Sequence, residues 1–354
     1  MTTVHPPAFA DQVVTWQRRH GRHDLPWQNT HDPYCVWLSE IMLQQTQVST
    51  VLGYFTRFLN RFPTVAALAQ GASDEVFGLW SGLGYYSRAR NLHACAQAVM
   101  ALHGGVFPRT AEVLQTLPGI GPSTAAAIAS LCFEERVAIL DGNVRRVLTR
   151  FLGFDADLSL SVNEKTLWTH AQRLVPLLPQ NMPAYTQGVM DLGATLCVRR
   201  KPLCDTCPLV SSCVAKREGR PEYYPVKTRK LKRSAEALWL LQAYNEHGDV
   251  WLVQRPEKGV WAKLYCLPTF SSSEALVATL PAEQAEALTA SPTFTHVLTH
   301  KDLHLHPMQL RVDSATWSQR DGRWVSPADW PQLGLPAPVR KLLELMTAPR
   351  LLGL

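Results

Sequence analysis

The sequence predicts two domains, a mostly helical one followed by an α+β one. The chain has 354 residues, more than a single domain of ordinary size usually holds. In the first 215 residues apolar side chains recur every three or four positions, as at Trp37, Leu38 and Ile41, which is typical of helices with one buried face. After residue 234 short apolar runs alternate with turn residues, which indicates strands.

Breaker residues divide the first part into helices of roughly 8–16 residues joined by short links. A helical pattern at 51–59 follows the one at Trp37, and Gly82-Leu83-Gly84 and Pro118-Gly119 mark two of the links. These features predict a compact helical domain over residues 1–215.

The second part begins with two strand-like runs, 237–241 and 250–253, which flank a turn. Further strand-like runs lie at 294–298 and 304–306, and a closing helix is expected at 338–346. We therefore predict an α+β domain over residues 235–354.

Residues 216–234 are predicted to be a basic linker between the two domains. This segment carries eight Lys or Arg and two Glu, so its net charge of +6 equals that of the whole chain. A mobile basic segment attracts polyanions such as nucleic acid, and a solvated linker explains the charge equally well.

Composition excludes several classes of protein. With 46% hydrophobic and 18% charged residues, the chain is not wholly disordered. No apolar run reaches the roughly 18 residues of a membrane span. The first eleven residues lack a basic region followed by an apolar stretch, so no secretory signal is expected. We expect a cytoplasmic protein without a membrane partner.

Four of the eight cysteines are clustered with the spacing Cys-x6-Cys-x2-Cys-x5-Cys. Four thiolates within 17 residues are able to enclose one metal centre. The spacing favours an iron–sulfur cluster of four irons, and a structural zinc ion is the alternative. The candidate ligands are Cys197, Cys204, Cys207 and Cys213.

The run from Leu117 to Ala125 contains a Pro-Gly-x-Gly turn followed by an Ala-rich helix. Gly119 and Gly121 allow close approach of a phosphate, which the amides at the start of the next helix can bind. An ordinary corner between helices is the alternative, but the exact run favours a helix-hairpin-helix that grips a DNA backbone.

Two carboxyl groups stand in local contexts that suit acid–base chemistry. Asp141 follows an apolar run and precedes a helix, which predicts a partly buried carboxylate or simply a helix cap. Glu40 lies in an otherwise apolar helical turn, where burial raises the pKa of a carboxyl group. Taken alone, Glu40 is better explained as a residue on the helix surface beside solvated glutamines.

Together these motifs resemble the endonuclease III superfamily of base-excision glycosylases and, within it, the MutY family of adenine DNA glycosylases. The MutY-like runs are residues 38–48, 82–92 and 190–194. In the second part, 254–256, 259–261 and 264–268 resemble that family's MutT-like module, which has the Nudix fold. The Nudix catalytic box is absent, so this module is expected to recognise DNA rather than hydrolyse nucleotides.

The resemblance implies a DNA repair enzyme that removes adenine mispaired with 8-oxoguanine or, more weakly, with guanine. It also implies a monomer that holds one [4Fe-4S] cluster and associates with the nucleoid. Glu40 would protonate the adenine, Asp141 would stabilise the sugar cation, and Asn143 would orient the site. The implied contacts to DNA and to the flipped base are Trp27, Leu43, Gln44, Gln45, Tyr85, Gly119, Gly121, Ser123, Gln187, Thr299 and His300.

Two departures from related sequences affect the expected activity. Strand-cutting relatives have lysine where this chain has Ser123, so we expect a glycosylase that leaves an abasic site. Leu298-Thr299-His300 stands where the family commonly has Phe-Ser-His, which implies either an altered preference for 8-oxoguanine or a repacked loop. A pyrimidine-mismatch glycosylase and a non-enzymatic DNA-binding protein are the rival functions.

Overall fold

The protein is described by a computed structural model that covers residues 6–28, 30–229 and 232–347. A helical part is followed by a part built on a β-sheet, and the predicted fold class is confirmed. Within these residues no helix is both long enough and apolar enough to cross a bilayer.

The chain divides into two compact units whose limits do not follow the chain order. The first unit comprises Met1–Gln70 and Asn91–Lys230, and the second comprises Gly71–Arg90 and Leu231–Leu354. The second unit therefore includes a segment from the middle of the helical part. The domain limits proposed from the sequence stay a prediction.

Most of the first unit is α-helical, and its short links follow the Gly and Pro residues noted above. In the described residues the α-helices are α1 Pro6–His20, α2 Pro33–Leu43, α3 Val48–Arg61, α4 Val65–Gln70, α5 Ser73–Trp80, α6 Ser87–His103, α7 Ala111–Leu114, α8 Pro122–Phe133, α9 Gly142–Leu152, α10 Ser161–Arg173, α11 Met182–Thr195, α12 Val214–Arg217, α13 Ser273–Val277, α14 Ala282–Glu286, α15 Ser314–Trp317 and α16 Ala337–Thr347.

Helix α9 begins and ends at residues suited to those positions. Asp141 caps its N-terminus by accepting a hydrogen bond from the backbone N–H of Val144 at 2.7 Å. Gly153 ends it with a φ of 66°, a conformation that favours glycine. One face of α9 is buried in the apolar core that α1 and α11 share, so the position of its N-terminus is set by packing.

The second unit is built on a sheet with strand order β3-β2-β1-β7-β5. The central pair, β1 and β7, is parallel over its full length, from Ser234 opposite Lys301 to Tyr244 opposite Arg311. The strands are β1 Ser234–Tyr244, β2 Val250–Gln254, β3 Tyr265–Cys266, β4 Thr269–Phe270, β5 Thr289–Ala290, β6 Phe294–Val297, β7 Lys301–Arg311 and β8 Arg323–Val325. Helix α16 contributes apolar side chains to the core on one side of this sheet.

Segment Gly71–Arg90 packs on the last part of the second unit. Tyr86 donates a hydrogen bond from its hydroxyl to the Leu335 carbonyl at 2.7 Å, and Arg340 donates from Nε to Ser81 Oγ at 3.0 Å. Sequence periodicity contains no signal for this long-range packing.

The predicted linker is folded over most of its length. Tyr224 is 2% exposed, and the carboxylate of Asp157 accepts hydrogen bonds from the backbone N–H and hydroxyl of Thr228. The mobile segment expected from the charge pattern is thus bound to the first unit up to Thr228. Residues 230 and 231 lie outside the described part of the chain.

Replacing Gly78 by alanine tests the packing of segment 71–90. A Cβ at Gly78 would lie 1.9 Å from the carbonyl oxygen of Gln332, so the backbone must shift. We expect Gly78→Ala to lower the free energy of unfolding by about 1–3 kcal/mol, measured by urea denaturation. Gly53→Ala in α3 meets no atom within 4 Å and should instead raise it by about 0.5–1 kcal/mol. Equal stabilities of Gly78→Ala and wild type would contradict the packing.

Candidate active site

Glu40 lies in α2 among buried apolar residues and is itself only partly exposed. Burial and the negative charge of Asp141 raise the pKa of Glu40 to about 8. Because the two residues are 101 positions apart in the sequence, only the fold brings their charges within range of each other. At neutral pH the Glu40 carboxyl group holds a proton and is able to act as an acid.

Asp141 lies at the N-terminus of α9, where partly positive backbone amides favour a negative charge. Burial raises the pKa of Asp141, whereas hydrogen bonds from the backbone N–H groups of Val144 and Asn143 and the charges of Arg146 and Arg145 lower it. Burial is the largest of these effects, so the pKa of Asp141 lies above its usual value, while the backbone amides and the arginines limit that rise.

The two carboxyl groups consequently differ in their protonation. When two acidic groups are buried within range of each other, one proton is retained between them. Backbone amides and arginines favour the anion of Asp141, so the retained proton is on Glu40. One acid and one carboxylate are the pair that cleavage of a glycosidic bond requires.

Asn143 is held by an arginine that also contacts the cysteine loop. Arg146 donates to Asn143 Oδ1 at 2.9 Å and to the carbonyls of Gly193 and Cys197 at 2.5 and 2.7 Å. A Cβ at Gly193 would lie 2.6 Å from Asn143 Cβ, so only glycine allows α11 to approach α9 this closely.

The predicted helix-hairpin-helix consists of α7, α8 and the turn between them. Gly119 has a φ of 75°, and a Cβ there would lie 2.5 Å from that of Asn91. Gly121 caps α8 and faces open space, which leaves its backbone accessible to a phosphate. The Ser123 hydroxyl is buried and has no hydrogen-bond partner within the described residues.

The four clustered cysteines line one cavity in the first unit. Arg150, which is 2% exposed, donates a hydrogen bond to Cys197 Sγ at 3.3 Å and others to the carbonyls of residues 197–199. In the part of the chain that the structure covers, no three His, Cys, Asp or Glu side chains converge closely enough to hold a single metal ion.

Leu43, Gln44 and Gln45, which are predicted to contact the DNA, lie at the C-terminal end of α2, whereas Trp27 precedes that helix. Trp27 is 7% exposed, and Leu43 is the last residue of the helix. Gln44 donates from Nε2 to Thr124 Oγ1 at 3.4 Å, which connects α2 to the hairpin helix α8. Gln45 has a φ of 57°, a conformation that residues other than glycine seldom adopt.

Tyr85 and Thr299, both in the second unit, are brought together although 214 residues separate them. The Tyr85 hydroxyl lies 2.5 Å from Thr299 Oγ1, and the ring is 43% exposed with a backbone φ of 48°. His300 is exposed, whereas Leu298 packs against the core of the unit. This contact of Leu298 agrees with the interpretation that leucine repacks the loop.

Sequence reasoning missed the charged residues that hold these groups in place. Arg146 and Arg150 are spaced four apart on α9, a spacing that places both on the side facing the cysteine loop. Asp191 is fully buried and likewise follows Gln187 by four residues on α11. In each case helical spacing was visible in the sequence, but the partner across the fold was not.

Two family models match the chain. Residues 38–172 match the HhH-GPD superfamily of base excision DNA repair proteins, and residues 239–345 match a NUDIX domain. An adenine DNA glycosylase of Buchnera aphidicola from Acyrthosiphon pisum is 37% identical over 341 residues, which are 95% of this chain and 97% of the relative. The chain belongs to the adenine DNA glycosylase family. It is therefore an enzyme that hydrolyses the N-glycosidic bond of adenine in DNA.

Two other similarities cover mainly the helical part of the glycosylase. The human adenine DNA glycosylase is 43% identical over 224 residues, 61% of this chain and 40% of the human one. The structure of a thermostable thymine-DNA glycosylase matches with a TM-score of 0.54 and 29% identity, over 60% of this chain and 97% of that one. The relative that matches nearly the full length is an adenine enzyme, which supports adenine over thymine as the substrate base.

Replacing Glu40 by glutamine tests the acid of the glycosylase. We expect Glu40→Gln to slow adenine release at least about 100-fold under single-turnover conditions, because glutamine has no acidic proton to give. Since the pKa of Glu40 is about 8, the wild-type rate should be retained just below that pH and fall above it as the proton is lost. Glu286→Gln, at an exposed position of α14 outside the hairpin, is the control. A Glu40→Gln rate equal to that of wild type would exclude Glu40 as the acid.

Proposed function

We propose that this glycosylase removes adenine paired with 8-oxoguanine and, more slowly, adenine paired with guanine, and leaves an abasic site. The observation that carries the chemistry is the buried pair of Glu40 and Asp141, in which one carboxyl is protonated and the other ionised. The protein would act as a monomer in the cytoplasm, on DNA of the nucleoid.

The reaction needs a better leaving group than the adenine anion. With the adenine flipped out of the duplex, Glu40 gives its proton to N7 of the base. The bond between N9 and C1′ then breaks, its electron pair goes to the base, and Asp141 stabilises the cationic sugar. Water adds to C1′ and loses a proton, which restores the acid. Asn143, fixed by Arg146, orients the groups at the start of α9.

Contacts to the DNA are proposed at three places. Gly119 and Gly121 hold the hairpin turn open to a backbone phosphate. Gln45 and Tyr85 enter the duplex beside the modified guanine, and Trp27, Leu43 and Gln44 line the approach to the base. The left-handed backbone at Gln45 and Tyr85 supports this assignment, because strained conformations cluster at functional positions.

The preference for 8-oxoguanine is assigned to the hydrogen-bonded pair of Tyr85 and Thr299, with His300 beside it. The short contact fixes the Thr299 hydroxyl next to the side chain proposed to enter the duplex. The modified guanine differs from guanine by an oxygen at C8 and a proton on N7, both of which a hydroxyl group can recognise.

The absence of strand cleavage follows from two positions. Ser123 has no amine with which to form a Schiff base, and its hydroxyl is buried. Arg145, in the first turn of α9, is always protonated and is paired with Glu164. Neither side chain is able to attack the sugar as an amine.

The cysteine loop is proposed to hold one [4Fe-4S] cluster. The four cysteines line one cavity, and their Cys-x6-Cys-x2-Cys-x5-Cys spacing supports a four-iron cluster over a zinc ion, because zinc sites usually present two close pairs and this spacing has one. When bound, such a cluster would tie the loop 197–213 together and is able to accept or donate an electron.

A panel of duplexes tests the proposed substrate. We expect adenine release to be faster opposite 8-oxoguanine than opposite guanine, with strand breaks only after alkali and no trapping by borohydride. Thr299→Ala should reduce the ratio of the two rates about fivefold, the effect of one lost hydrogen bond. Thr295→Ala, which removes a hydroxyl bonded to His304, is the matched control. Release of thymine opposite guanine, or an unchanged ratio in Thr299→Ala, would contradict the proposal.

Metal analysis tests the proposed cluster. We expect four irons and four sulfides per wild-type chain and little zinc. Cys204→Ser should lower both contents and the thermal stability, because the loop loses one of its four attachments. Cys35→Ser is the control, since Cys35 lies outside the loop. One zinc per chain in place of iron would overturn the assignment.

A further inference from the structure

A cavity of about 920 Å³ lies in the second unit, where strands β1, β6 and β7 meet the C-terminal half of α16. Cavities that hold small organic ligands have volumes of roughly 300–1,000 Å³. The lining includes none of the residues assigned above to the carboxyl pair, to the cysteine loop or to the recognition of 8-oxoguanine. The cavity therefore belongs to no site described so far.

Gln242, which lines this cavity, is a buried polar residue on an otherwise apolar face of β1. Side chains alternate between the two faces of a strand, so Leu238, Leu240 and Gln242 lie on the same face. Leu238 and Leu240 pack with Leu342 of α16 in one apolar core. Gln242 takes the next place in this row and is only 1% exposed. A buried amide at such a place needs hydrogen-bond partners.

The Gln242 amide has hydrogen-bonding capacity that the protein does not use. Its Nε2 donates to Sδ of Met346 at 3.0 Å, and a thioether sulfur is a weak acceptor that has no hydrogen to donate. Its Oε1 is buried and has no partner in the part of the chain that the structure describes. A buried acceptor without a donor costs free energy, which a ligand with an N–H or O–H group would recover.

The other side chains that line the cavity complement a planar polar molecule. Gln309 is paired with Gln242 in the register of the parallel strands β7 and β1, so the two amides lie side by side on one face of the sheet. Phe294 and Tyr244 offer aromatic rings. Lys341 is the single charged residue among the described residues of the lining. The lining therefore favours a neutral or anionic ligand over a cation.

We propose that this cavity binds a nucleotide, with the base against Gln242 and Gln309 and the phosphate towards Lys341. A glutamine amide is able to pair with the edge of a nucleobase through one donor and one acceptor. Aromatic rings stack on the face of a base, and an ammonium group attracts a phosphate. The unpartnered Oε1 of Gln242 accepts a hydrogen bond from an N–H group of the base. The inference does not rest on the proposed release of adenine.

Isothermal titration calorimetry with the full-length protein tests this site. The probes are adenosine and guanosine 5′-monophosphate, the two nucleosides, ribose 5-phosphate, and a 5′-phosphorylated single strand of DNA. We expect at least one monophosphate to bind, and ribose 5-phosphate to bind at least about tenfold more weakly because it has no base. Gln242→Leu should weaken binding of that monophosphate about tenfold, the effect of a lost hydrogen bond. Lys341→Gln should weaken the monophosphate and leave the affinity for its nucleoside unchanged.

A measurement of thermal stability separates ligand binding from a merely structural role of Gln242. Leucine matches the apolar row and removes a polar atom without a partner, so Gln242→Leu should keep or raise the Tm. Gln319→Leu, at an exposed position outside the cavity, is the matched control and should leave all affinities unchanged. Should Gln242→Leu fail to fold, Lys341→Gln still tests the proposal, because Lys341 is exposed.

The outcomes also distinguish two sources of the nucleotide. Loss of affinity for a monophosphate in Gln242→Leu would support a free nucleotide, and loss of affinity for the DNA strand alone would support the end of a strand. If no monophosphate binds and the strand binds both variants as it binds wild type, the proposal is overturned. A lower Tm of Gln242→Leu with unchanged binding would also overturn it and would assign Gln242 to the fold.

Discussion

The proposed active site depends on burying two carboxyl groups within range of each other, one of them at the N-terminus of α9. Burial alone raises the pKa of both groups and would leave both neutral. The amides at the start of α9 and the nearby arginines favour the anion of Asp141, whereas burial and that anion keep the proton on Glu40. The fold thus places two similar side chains in different environments, so that one carboxyl group serves as an acid and the other as a base.

Helix α9 also connects the carboxyl pair to the cysteine loop. Asp141 caps its first turn, Arg146 binds Asn143 and the Cys197 carbonyl, and Arg150 contacts the Cys197 sulfur one turn later. Both arginines come from the same helix whose N-terminus is capped by Asp141. The cysteine loop and the N-terminus of α9 are consequently attached to the same helix. A displacement of the loop would therefore shift Asn143 through Arg146.

Local sequence patterns predicted the parts of the site that depend on neighbouring residues. The turn at Gly119, the cap at Asp141 and the cysteine spacing are all short-range features, and the structure has the turn and the cap as expected. The packing of segment 71–90 on the second unit depends on contacts across more than 200 residues, such as that of Tyr86 with Leu335. Periodicity does not identify the partner of a buried face, so this packing was not predictable from one sequence.

The charge pattern misled for a related reason. A run of basic residues is typical of a solvated, mobile segment, yet the partly exposed carboxylate of Asp157 accepts hydrogen bonds from both the backbone N–H and the hydroxyl of Thr228. These hydrogen bonds join two residues that are adjacent in space but 71 positions apart in the sequence. Tyr224, buried just before them, adds an apolar anchor that a count of charges does not reveal. Burial of one aromatic ring, together with the hydrogen bonds of Thr228, therefore decides that this part of the segment is folded.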